Sequence, residues 1–359
     1  MTAKIKRVFP GGNTADGFFS YYDYMIQQQD ANHIFCIKGG PGVGKSSMMK
    51  NIGNEMLRLG YDVEFHHCSS DNNSIDGIVI PALKVAMVDG TAPHIVDPKN
   101  PGAVDEVINL GEYWDLAKMK ENREAILKSN KEVGRLFTRA YKFLKAAECI
   151  VKDVAVKYKE AMDFGKINSI TLNLIDEILG SVEFKGKAGD ERHLFGSAIT
   201  PNGVVEYTDT IFNDATDVYY IKGDVGTGKS TLLEKVYKNA VLKGLDVEVY
   251  HTPLIKDKIE TIFIKEMNIA LTVSNMFKEN NYKVVDLDIC VNHDILDKYK
   301  DEIEYDKGLI EKLLENGIEN IRRAKKEHDV MEKYYIPNMS FDKIEKLKIK
   351  IKEQILEFK

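Results

Sequence analysis

Gly39-Gly40-Pro41-Gly42-Val43-Gly44-Lys45-Ser46 carries glycines, a lysine and a hydroxyl at the spacing G-x-x-x-x-G-K-[ST], which wraps a chain around a polyphosphate. Glycines let the backbone curl so that several N–H groups point inward, and the helix that follows adds its positive end. Lys45 would reach the β- and γ-phosphates, and Ser46 would place a hydroxyl on magnesium, with Ser47 next in the binding segment. The spacing recurs in Gly223-Asp224-Val225-Gly226-Thr227-Gly228-Lys229-Ser230 with Thr231 behind it, giving Lys229 and Ser230 the same two tasks.

Such chemistry also needs an acid at the end of a neighbouring buried strand, to hold magnesium through its water shell. The apolar run Leu83 to Val88 ends in Asp89, and Gly90-Thr91-Ala92-Pro93-His94 follow as a polar, turn-forming segment suited to a ligand-facing loop. No glutamate follows Asp89 directly, so the general base stays open: Asp71, beyond the strand-like Val63 to Cys68, is one choice, and His94 or His67 could instead orient water or a transferred phosphoryl group. No N-K-x-D guanine reader is present and Asp89-Gly90-Thr91-Ala92 is not a D-x-x-G switch, which leaves ATP with Mg2+ as the expected nucleotide. Arg135, Arg139, Arg192, Arg322 and Arg323 are candidates for sensing the γ-phosphate across halves.

Each loop sits where strand, turn and helix must meet. Ile34-Phe35-Cys36-Ile37 leads into the first, and Met48, Ile52, Met56 and Leu59 mark one face of a helix behind it; Val218-Tyr219-Tyr220-Ile221 leads into the second. The loops lie 184 residues apart, and at that spacing Gly60-Tyr61-Asp62-Val63-Glu64 meets Gly244-Leu245-Asp246-Val247-Glu248. Upstream, Phe9, Thr14 and Gly17 match Phe195, Thr200 and Gly203 at a spacing of 186. Downstream, the helical seam Val133, Phe137, Ala140, Leu144, Ala147, Val151, Val154 is in register with Ile310, Leu314, Gly317, Ile321, Ala324, His328, Met331 at a spacing of 177. The expectation is α/β: two duplicated three-layer α/β/α cores with mainly parallel sheets, each with an appended helical arm. The first unit would span 1–190 (core about 1–110, arm about 111–190) and the second 191–359 (core about 191–290, arm about 291–359). The arms read most simply as helical hairpins covering the cores, with a coupling element or a homo-oligomer surface as alternatives.

At 359 residues the chain has material for two cores, and 43% hydrophobic with 30% charged residues describes a folded protein. A net charge of −6 argues against broad nucleic-acid binding, no apolar run is long enough for a membrane span, and four scattered cysteines read as reduced thiols; a cytoplasmic location is expected.

The two loops, His67-Cys68-Ser69-Ser70-Asp71 and Val88-Asp89-Gly90-Thr91-Ala92-Pro93-His94 together resemble a family of bacterial tandem P-loop ATPases. The resemblance implies ATP binding at Gly39 to Ser46 with Asp89 nearby, and implies no substrate. Three function classes fit: an ATPase, a kinase moving the γ-phosphoryl group to an unknown acceptor, and a nucleotide-binding regulatory or scaffold protein, the partner being an unidentified protein or small molecule. The halves are expected to be unequal. Asp89 aligns with Val273, Asp71 with Ile255 and His94 with Lys278, so the second unit looks degenerate, binding nucleotide with little turnover unless Asp286 or Asp288 replaces the acid.

Overall fold

A computed structural model describes residues 3–91, 96–278 and 282–359. Its first half begins with β1 (Ile5–Val8), the hairpin β2 (Gly11–Thr14) and β3 (Gly17–Ser20), and β4 (His33–Lys38), which enters the first loop. Next come the helix Lys45–Arg58, β5 (Val63–His67), β6 (Ile75–Ile80), β7 (Val85–Asp89) and β8 (Asp105–Asn109). Five of these strands and β4 form one sheet in the order β1-β5-β6-β7-β4-β8. The second half repeats the series with β9 (Glu191–Phe195), β10 (Ser197–Thr200), β11 (Gly203–Glu206), β12 (Asp217–Lys222), the helix Lys229–Leu242, β13 (Val247–His251), β14 (Ile259–Ile264), β15 (Ile269–Thr272) and β16 (Lys283–Asp286). Its sheet runs β9-β13-β14-β15-β12-β16, which is the same order.

In each sheet three pairings are parallel and two antiparallel: β5, β6 and β7 form a meander, as do β13, β14 and β15. The meander corrects the expected three-layer core. Antiparallel neighbours need only a tight turn, whereas parallel neighbours need a long crossover that usually carries a helix. Pro81–Leu83 and Lys265–Met267 make those turns, closed by Lys84 and Asn268, both in the left-handed region at φ 53°. Among the described residues, the long helices therefore cover one face of each sheet. On that face of the first, Phe35, Ile37 and Ile78 pack against Met49, Ile52 and Met56; on the other, Ile34, Cys36 and Val88 pack against Tyr22 and Met25 from a single 3-10 turn.

The arms cross between the halves. A 38-residue helix, Arg123–Glu160, and a 36-residue helix, Lys300–Tyr335, run antiparallel, each about 55 Å long at 1.5 Å per residue. Gly317 gives Leu144 its close approach, since a Cβ there would stand 2.7 Å from the Leu144 Cδ2. The first long helix carries the chain to the second core, where the helix Phe164–Leu179 buries Leu174, Ile178 and Leu179 against Leu233 and Val236. The second long helix returns to the first core, where the helix Phe341–Leu356 buries Ile344, Ile351 and Ile355 against the β4 face. Two bridges tie the exchange together, Trp114 with Met339 and Met162 with Val291.

The cores meet edge to edge. Phe9 and Phe195 exchange backbone hydrogen bonds of 2.9 and 3.0 Å. Beside them Arg192 donates to Glu64 at 2.6 Å and to Glu248 at 3.1 Å, and Lys6 pairs with both acids. Burial pushes the Glu248 carboxyl up, but Lys6 and Arg192 more than offset this and hold it at about 2.

Candidate functional site

Why the first loop closes where it does follows from its neighbours. β4 is buried on both faces and ends at Lys38; Gly44, at φ 93°, then makes the left-handed turn from which the helix starts at Lys45. Lys45 Nζ donates to the carbonyls of Gly39 (2.7 Å) and Gly40 (2.9 Å) and lies 3.5 Å from the Asp89 carboxylate. β7 lies directly beside β4, so Asp89 at its end stands next to the loop with no strand between. Thr91 fixes this corner, its N–H donating to Asp89 at 2.9 Å and its hydroxyl to the Gly39 carbonyl at 2.8 Å. Ser46 Oγ accepts the Ile75 N–H at 3.0 Å. Ser46 and Asp89 are hard oxygen donors of the type magnesium takes, and the bare glycines leave the cradle that a phosphate would fill.

Asp71 lines the same cavity, accepting from Ser74 Oγ at 2.9 Å and from the Asn73 N–H at 3.2 Å, with Lys325 at 3.3 Å. His94 lies outside the described residues. His67 is not at this cavity; it is buried between the cores, bonded to Arg7 at 3.0 Å and tilted against the rings of Phe9 and Tyr207. Burial lowers its ring to about 4, so it is neutral there. Of the candidate arginines, Arg192 belongs to the ionic contact between cores, while Arg135 and Arg322 pair with Glu132 and Glu319 on their own helices.

The cavity over the first loop measures about 1250 Å³. Its floor is Gly40 to Met48, and Asp71, Asp76 and Asp89 line it too. Asp76, on β6, is buried and accepts the Tyr22 hydroxyl at 2.6 Å; an acid inside the apolar run Ile75 to Ile80 was the sequence signal for it. Its roof comes from the long helices: Phe137 and Tyr141 from the first, and Lys325, His328, Glu332 and Tyr335 from the second. These last four fall on one helix face at spacings of three and four residues.

The second loop has the same backbone and different surroundings. Gly228 turns at φ 92°, Lys229 donates to the carbonyls of Gly223 and Asp224, and Ser230 Oγ accepts the Ile259 N–H at 2.8 Å. Val273 follows β15 where Asp89 ends β7, and Ile255 uses its carbonyl within its own turn. Asp286 and Asp288 both pair with Lys222, at 2.7 and 3.4 Å. Asp224 accepts from Tyr158 at 2.6 Å and Lys307 at 2.7 Å, and these donors outweigh burial and hold its carboxyl low. The first long helix lies hard on this loop, since a Cβ on Gly226 would come within 2.7 Å of the Ala155 carbonyl.

A lysine on the mouth of a glycine-rich turn between strand and helix, with a strand-end acid beside it, is a nucleotide-binding geometry, and the family comparison agrees. The model of the KAP family P-loop domain matches residues 16–326. The chain belongs to the KAP P-loop family. No curated protein and no solved structure matches it. Membership makes this a P-loop NTPase domain, for which nucleotide binding is the supported function. No helix among the described residues is long and apolar enough to cross a membrane.

Proposed function

We propose that this KAP-family protein is a Mg2+-dependent ATPase working at the first loop, and that the second loop binds nucleotide with little turnover. The reading rests on one contrast: Asp89 stands beside Lys45 and Ser46, whereas Val273 holds the matching place beside the second loop. At the first loop Lys45 would leave the Gly39 and Gly40 carbonyls for the β- and γ-phosphates, and the inward N–H groups and the helix end would hold their charge. Ser46 and Asp89 would hold magnesium, which supplies charge neutralisation on the phosphates. At the second loop, phosphate binding by N–H groups, Lys229 and Ser230 survives.

The same reading takes the chain as a tandem duplication, with cores at about 1–110 and 191–290. Supporting it are the shared strand order and the bridges, for Trp114 and Val291, like Met162 and Met339, are spaced 177 apart. A kinase remains the second reading, favoured by a cavity larger than the roughly 300–1,000 Å³ typical of a site for one small ligand.

Lys45→Ala compared with Lys229→Ala tests the division of labour. Lys45→Ala should lower steady-state phosphate release about 100-fold or more while Lys229→Ala keeps most of it. Half of the wild-type rate surviving in Lys45→Ala would end the proposal; release only on adding an acceptor would favour the kinase.

A further inference from the structure

A P-loop hydrolase needs a group that orients the attacking water and takes its proton, and each first-core acid that lines the cavity among the described residues already has another task. Asp89 faces Lys45 and would hold magnesium. Asp71 is bonded to Ser74 and Asn73 and paired with Lys325. Asp76 is buried against the Tyr22 hydroxyl. On the roof, Glu345 pairs with Lys348. Glu332 differs from all of these: its closest ionic partner among the described residues is His328, at 3.6 Å, and the N–H of Gly42, a loop glycine, acts on its carboxylate.

We propose that Glu332, brought over the first loop by the long helix of the second half, is the general base that activates water there. This rests on hydrolysis at the first loop. A Cβ on Gly42 would stand 3.3 Å from the Glu332 Cβ, so the side chain starts at van der Waals distance from the cradle. The Gly42 N–H that acts on the carboxylate is one of those the cradle offers an anion. When a phosphate oxygen takes that N–H, the carboxylate is displaced to the rim of the site, at the distance of one bridging water. In the step, the water oxygen bonds to the γ-phosphorus as Glu332 takes the water proton. The bond from γ-phosphorus to the bridging oxygen breaks, ADP leaves with that electron pair, and the proton departs from Glu332 with the released phosphate.

The contrast with the second loop is independent support. At the spacing of 177, Ala155 occupies the place of Glu332 and Val151 that of His328, and Ala155 lies against Gly226 as Glu332 lies over Gly42. The covering helix thus brings a proton acceptor to the loop that has a strand-end acid, and none to the loop that lacks one. Burial raises the Glu332 carboxyl, with Asp71 and Asp329 adding to it and Lys325 opposing; His328, on which Lys45 also acts, stands 3.6 Å away. A raised carboxyl is a stronger base at neutral pH.

The test uses the full chain as wild type, Glu332→Gln and Glu332→Asp, measuring phosphate release against pH and the affinity for a fluorescent ADP. Glu332→Gln should lower kcat about 100-fold or more, leave ADP affinity within about threefold, and erase the acidic limb of the pH–rate profile; Glu332→Asp should recover part of the rate and keep the limb. A Gln variant within about threefold of wild type, or one that keeps the acidic limb, overturns the proposal and leaves the ATPase reading standing. A Gln variant that loses ADP binding along with turnover also overturns it, as a structural effect. Wild-type protein that releases no phosphate removes the ATPase reading itself.

Discussion

The two loops share a backbone and differ in the charged side chains placed around it. Both turn through a left-handed glycine, both fold their lysine back on loop carbonyls, and both anchor their serine on the N–H that opens the adjacent meander strand. Around the first stand Asp71, Asp76 and Asp89, with Lys325, His328 and Glu332 above. Around the second, the one carboxylate inside the loop, Asp224, is already held by Tyr158 and Lys307. On the proposed reading binding and turnover are separable in this fold: the cradle is made by backbone that glycine spacing preserves, while turnover would depend on a few side chains from other elements, each replaceable without disturbing it.

Asp89→Asn is the sharpest way to break the contrast, because it gives the first loop a neutral strand end like the second. Phosphate release should fall on the order of 100-fold, with ADP binding retained but less dependent on added magnesium. Wild-type turnover in this variant, measured by phosphate release with and without magnesium, would equalise the two loops and remove the proposed reason for their difference.

A smaller effect should come from the matched cations between the cores, Lys6 in the first half and Arg192 in the second. Arg192 donates to both glutamates and to the carbonyls of Tyr24 and Met25, so Arg192→Ala removes all four contacts and leaves the two buried acids with Lys6 as their shared cation, at a cost of about 3 kcal/mol. Lys6→Ala leaves both acids their guanidinium and should cost less. Denaturant unfolding of the two variants reads this, and equal losses would show that the halves contribute alike. Glu248, held at about 2, contributes stability that is present above the ordinary carboxyl range and is lost as pH falls towards 2, so the interface should be acid-sensitive.

The smallest expected effect compares Glu260 with Asp76, which occupy matching places on β14 and β6. Glu260 is half-buried, accepts a hydrogen bond from Ser197 at 2.8 Å, and is pushed up to about 8 by desolvation and by Glu206. The native state then binds a proton that the unfolded state releases above about pH 4.5, so stability falls as pH rises from there to about 8 and levels off beyond. Glu260→Gln should remove that slope and add on the order of 2 kcal/mol near pH 8. Thermal melts from pH 5 to 9 would show it, and a slope unchanged by the substitution would place the titration elsewhere.

What could be read in the residues was whatever local spacing dictates. Glycine, lysine and serine spacing fixed both loops, because a phosphate cradle is built from consecutive backbone; a strand ending in a single acid pointed to Asp89; and helical periodicity gave both arms and their register. Three decisions belonged to tertiary structure. Periodicity says that a helix has an apolar face and not which core will cover it, so the exchange of Phe164–Leu179 and Phe341–Leu356 between cores was invisible. Strand signals carry no direction, so mainly parallel sheets were legible but the antiparallel β5-β6-β7 meander, which leaves one sheet face without long helices, was not. Glu332 lies 290 positions from Gly42 and has the composition of any solvated helix face; only the return of the second long helix across the molecule sets its carboxylate on the first loop.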